Sequence, residues 1–64
     1  MFHPIKHQPS TALAAGDRVD LGGRKYRLDW FDVTKGSWLT KEDETGRTIE
    51  IQSRDLEENG FVER

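Results

Sequence analysis

Four groups of side chains in this sequence have chemistry to offer beyond folding: His3 and His7; the acids Glu42, Asp43 and Glu44; the basic Arg18, Arg24, Lys25 and Arg27; and the aromatics Tyr26, Phe31 and Trp38. Histidines four residues apart suit a helical metal pair. Here Pro4 lies between them and no acidic residue accompanies them in the first ten positions, so they read as part of a solvated tail. Three consecutive carboxylates raise the idea of a calcium loop, but the alternating ligands and mid-loop glycine of such loops are missing. A solvated hairpin tip is the better reading.

Ser10, Ser37 and Ser53 offer no recognisable nucleophile and base pattern, and the absence of cysteine removes thiolate chemistry and disulfides. A chain of 64 residues also encloses little concavity for a buried site. No catalytic residue, metal, cofactor or small-molecule substrate is expected.

The basic residues carry more. The stretch VDLGGRKYRLDW, Val19 to Trp30, has apolar side chains at alternate positions on either side of Gly22-Gly23. Both central positions of a type I′ hairpin turn need positive φ, which glycine adopts without strain. That turn sets Leu21 against Arg24, Asp20 against Lys25, Val19 against Tyr26 and Arg18 against Arg27. Two arginines directly opposite each other, with Lys25 on the same face, are destabilising unless an anion sits between them, which points to phosphate. Asp20 and Asp29, the next residues on that face, offer the other means of neutralising the cluster.

The remaining elements follow from pattern. Trp30-Phe31 breaks the alternation and predicts a bulge or sharp bend. Asp32 to Ser37 turns the chain, Trp38 to Lys41 forms a third strand, EDETG a polar turn, and Thr48 to Gln52 a fourth strand with Ile49 and Ile51 inward. Ser53 is placed to cap a short helix through Asn59 that ends at Gly60, leaving Phe61 and Val62 to close the core. The spacing predicts an all-β fold, a small SH3-like antiparallel barrel of four to five strands with one short C-terminal helical turn. Its core is Val19, Tyr26, Leu28, Leu39, Ile49, Ile51, Leu56 and at least one of Trp30 and Phe31. With Leu39 inward, Trp38 faces out as an anchor for a protein or a base, unless it closes the barrel end against Trp30. Residues 1–12, with both prolines and no periodicity, are expected to be a flexible arm preceding a single domain over residues 13–64.

Charged residues make up 34% of the chain and the net charge is -2, so no overall pull toward nucleic acid or anionic lipid exists. Its distribution is uneven: five basic residues face two acidic ones over residues 1–27, and four face eight over residues 40–64. No apolar run reaches the roughly 20 residues of a membrane-spanning helix, and a cytoplasmic protein is expected.

The order of features is similar to one known arrangement. LAAGDRVDLGGRKYRLDWFD, then WLTKEDETGRTIEIQ, then SRDLEENG, resembles the small β-barrel module of Mu-type and integrase-like transposases. The matching positions are Gly16, Gly23, Tyr26, Leu28, Leu39, Asp43, Thr45, Gly46, Ser53 and Leu56. Asp55 stands where the usual form has a glutamate. The resemblance implies a phage or mobile-element protein and a binding role, because the catalytic carboxylates of those enzymes belong to a separate domain. Two functions are therefore expected in order. The first is weak, sequence-independent contact with DNA phosphates through Arg18, Arg24, Lys25 and Arg27, extended by Lys6. The second is an SH3-like protein-interaction adaptor presenting Trp38, Phe31 and Tyr26.

Overall fold

Gly22 and Gly23 take φ of 64° and 83°, and the hairpin they close is the centre from which the sheet grows. The structure, a computed structural model, describes residues 1–7 and 13–64. Its elements are β1 (Phe2–Pro4), one 3-10 turn (Ile5–His7), β2 (Arg18–Leu21), β3 (Arg24–Asp32), β4 (Ser37–Glu42), β5 (Thr48–Gln52), α1 (Ser53–Asn59) and β6 (Phe61–Glu63). The hairpin of β2 and β3 has the expected register, from Arg18 against Arg27 to Leu21 against Arg24.

The register of β3 against β4 shifts between Leu28 and Trp30, where the alternation of the sequence breaks. The extra residue turns Trp30 to the face opposite Leu28 and returns Phe31 to the side of Leu28. Across the shift, Trp30 lies against Leu39 and Phe31 against Trp38. Trp38 and Thr40 in turn lie against Ile51 and Ile49.

One face of the sheet is therefore apolar, and α1 and the 3-10 turn cover it. Val19, Tyr26, Leu28, Trp38, Ile51 and Val62 meet Leu56 of the helix and Ile5 of the turn, with Leu13, Leu21, Phe31 and Ile49 packed at the margin. Ile5 is 4% exposed, and its amide donates to the Gly60 carbonyl at 3.0 Å. Gly60 is required for close approach: a Cβ there would lie 2.7 Å from the Leu56 carbonyl oxygen and 3.1 Å from Ile5 Cδ1.

Several expectations are corrected. The sheet has six strands in the order β1-β6-β2-β3-β4-β5 and is open, with β1 and β5 at its edges, instead of a clearly closed barrel. Residues 2–7, expected within a flexible arm, supply an edge strand paired with β6 and a core residue, Ile5. Pro4 is compatible with this because an edge strand leaves one row of N–H groups unused. Ser10 and the rest of residues 8–12 lie outside the described residues, as does the His7 side chain.

Leu39 and Trp38 exchange the faces expected of them: Trp38 is 7% exposed in the core, and Leu39 is half-buried on the other side. The register of β4 with β5 decides this, since Ile49 and Ile51 share a face with the even-numbered residues of β4. Ser53 is the first helical residue and not the cap; Gln52 occupies the cap position without a side-chain bond, and Ser53 Oγ donates to Glu57 Oε2 at 3.1 Å. Among the described residues, no helix is long and apolar enough to cross a membrane.

Candidate nucleic-acid interface

The face of the sheet turned away from α1 carries the polar half of each alternating strand. Arg18 of β2 lies against Arg27 of β3, and Arg27 lies against Lys41 of β4, so three cationic side chains stand in one row across three adjacent strands. Neighbouring strands lie about 4.8 Å apart, which spaces the row over roughly 10 Å. Arg18, Arg27, Lys41 and Asp43 line a depression of about 610 Å³. The next row along the strands is Trp30, Leu39 and Glu50, and the one after it Asp32, Ser37 and Gln52. Trp30 is 58% exposed.

Carboxylates answer most of these cations. Arg18 is paired with Asp43. Arg27 Nε donates to Asp29 Oδ1 at 2.9 Å. Lys25 Nζ sits 3.6 Å from Asp20 Oδ2, with the Phe2 ring centroid 5.6 Å away. Asp20 and Asp29 are the two neutralising residues that the hairpin pattern offers; Asp43 comes from the distant β4–β5 turn. Opposed arginines are thus compatible with folding in the absence of an added anion. Lys41, exposed on the same face, has no carboxylate within salt-bridge distance among the described residues.

The five basic residues expected to act together are divided by the fold. Arg18, Lys25 and Arg27 share the outer face. Arg24 belongs to the inner-facing set of β3, where Nη1 donates to Glu42 Oε2 at 2.9 Å. Glu42 is buried at the end of β4 and also accepts from Thr45 Oγ1 at 2.9 Å, so it closes the EDETG turn from within and is not part of a solvated tip. The Arg24 bond, then the Thr45 bond, hold the Glu42 carboxyl below the usual carboxylate range, and Glu42 raises Arg24 in return. Lys6 lies on the helix side of the molecule.

That side holds the other candidate. Ile5, Lys6, Leu13, Phe31, Trp38, Ser53, Glu57 and Glu58 line a shallow groove of about 520 Å³. The Phe31 and Trp38 rings lie 5.1 Å apart at 54°. Tyr26, expected beside them, is in the core and does not reach the groove. No three histidine, aspartate or glutamate side chains gather into a metal-binding group among the described residues.

Lys41 was assigned no role in the sequence reading, and Trp30, offered there as a core residue or as the partner closing the barrel end with Trp38, is on the surface. Their signal was the phase of β4: once Trp38 is inward, Leu39 and Lys41 are outward and carry Trp30 with them across the bulge. Comparison with known proteins gives no match: no family model, no curated protein and no solved structure.

Proposed function

We propose that the chain is a non-catalytic module that contacts nucleic-acid phosphates through the outer face of its sheet, in the cytoplasm, as part of a phage or mobile-element nucleoprotein system. The observation that carries the reading is the row Arg18, Arg27 and Lys41, with Lys41 free of any carboxylate partner among the described residues and Trp30 exposed beside it. Phosphate is the ligand that suits it: guanidinium forks accept it in two-point geometry, and Lys41 contributes a point charge. The contact is sequence-independent because phosphates carry no sequence information, and it is weak because Asp29 and Asp43 compete for the same guanidinium groups. The resemblance to transposase barrel modules fits this reading.

The salt dependence of binding tests it. Three phosphates neutralised give a log-log slope of about -2 on single strands and about -3 on duplex. Changing Arg27 and Lys41 together to glutamine removes two contacts and flattens the slope by about 1.4 on single strands. Binding with no salt dependence, or an unchanged slope in the double variant, contradicts the proposal.

A second reading rests on the groove. Phe31 and Trp38 form an aromatic floor with Glu57 and Glu58 beside it, which suits an extended protein segment pairing apolar with basic side chains. Glu57→Gln with Glu58→Gln weakens capture of a lysine-rich apolar peptide if the groove is the site, and leaves oligonucleotide binding unchanged.

A further inference from the structure

The charges around Trp30 are arranged asymmetrically, and this bears on which form of nucleic acid the outer face takes. On one side of the Trp30–Leu39 row stands the cationic row of Arg18, Arg27 and Lys41. On the other stands Asp32, and Glu50 closes the end of the Trp30–Leu39 row on β5. Asp32 accepts from Thr34 Oγ1 at 2.6 Å and from the Thr34 amide at 3.0 Å, bonds that keep it ionised. Asp43 and Asp29 partly neutralise Arg18 and Arg27, and Lys35 acts on Asp32, but Lys41 has no carboxylate partner among the described residues, so a phosphate backbone is held to the Lys41 side of Trp30. What it directs over Trp30 and Leu39 is the nucleotide's other end, the base.

An exposed indole is expensive to leave in water, and stacking on a base covers it. In a duplex the bases are already stacked on one another, and Trp30 meets sugar and phosphate alone. We infer, on the basis of the phosphate reading above, that the ligand is single-stranded nucleic acid, with its backbone along Arg18, Arg27 and Lys41 and one base stacked on Trp30 against Leu39. Trp30 is then the residue that discriminates single strand from duplex, and the cations are indifferent to the difference.

Because Trp30 is exposed and Trp38 buried, fluorescence separates them: a stacked base quenches the solvent-exposed emission that Trp30→Ala removes. Titration at low salt with a twelve-nucleotide oligothymidylate and with a twelve-base-pair duplex provides the comparison. The inference predicts tighter binding of the single strand with quenching. Trp30→Ala should lose on the order of 10- to 100-fold for the single strand. Its salt slope should be unchanged, its duplex affinity should match that of the parent, and Trp30→Phe should retain most of the binding. Equal affinity for both ligands, or a Trp30→Ala variant that binds the single strand like the parent while the salt slope persists, overturns the stacking inference and leaves the phosphate reading intact. Failure of both ligands to bind at low salt, where screening is minimal, overturns both.

Discussion

Ile5→Ala is the perturbation that bears most directly on how the two ends of the chain are joined. Ile5 is 4% exposed, lies under α1, and meets the helix end where Gly60 has no side chain. The amide bond from Ile5 to the Gly60 carbonyl survives the substitution, so the change isolates side-chain packing from pairing. Truncating a buried isoleucine costs about 2–5 kcal/mol, the upper part arising where the cavity cannot collapse. A domain of this size has about 3–10 kcal/mol in total. At roughly 4–8 °C per kcal/mol, the melting temperature should fall by at least about 8 °C, and the variant is unfolded at the upper end of the range. Far-UV circular dichroism with heat, paired with a urea titration to check the slope, reads the loss. Lys6→Ala, one position along and exposed, serves as the control and should stay within about 0.5 kcal/mol of the parent. An Ile5→Ala protein that melts with the parent would refute the packing of the N-terminal turn against the helix.

Gly60→Ala should destabilise by about 1–3 kcal/mol, because its Cβ meets the Leu56 carbonyl at 2.7 Å; a parental urea midpoint would show that the helix end yields without cost. Glu42 and Asp32 both have lowered carboxyl pKa values, through hydrogen bonds from Arg24 and from Thr34 respectively. On acidification the unfolded chain takes up these protons first, so their stabilisation is full above the ordinary carboxylate range and is lost as pH falls through the lower folded values. Urea midpoints from pH 7 to pH 3 should decline accordingly, and Glu42→Gln should flatten the curve; an identical pH profile in that variant would sink the assignment. Asp29→Asn with Asp43→Asn removes the competitors of Arg27 and Arg18 and should tighten oligonucleotide binding while the salt slope stays near that of three phosphate contacts, whereas weaker binding would mean that the carboxylates position the guanidinium groups.

Where local chemistry and burial agree, the fold was legible. Gly22-Gly23 with alternation on both sides determines one hairpin register, and TIEIQ followed by a helical stretch ending in glycine determines β5 and α1. β4 was misread because its inward set, Trp38, Thr40 and Glu42, contains an ionisable residue, while the outward set offers Leu39 as an apparent core position. Glu42 is tolerated inside only because Arg24 and Thr45 bond it, a partnership across 18 residues that no local pattern displays. That inversion hid the interface as well: Lys41 and Trp30 become surface neighbours of Arg27 only when Trp38 is turned inward. Pro4 excluded a central strand correctly, but an edge strand followed by one 3-10 turn with a single buried isoleucine leaves almost no periodic trace. Arg18 and Arg27 were correctly opposed, whereas Asp43 reaches Arg18 across 25 residues from a turn whose direction depends on the whole sheet.

The central claim is that the outer sheet face is where this protein meets its ligand. Amide chemical-shift mapping of the full chain with a short single-stranded oligonucleotide at low salt tests it most directly. Perturbations are expected at Arg18, Arg27, Trp30, Leu39 and Lys41, fading as salt is raised, with Glu57 and Glu58 of the groove silent. Perturbations concentrated in that groove, or none on the outer face at any salt concentration, would contradict it.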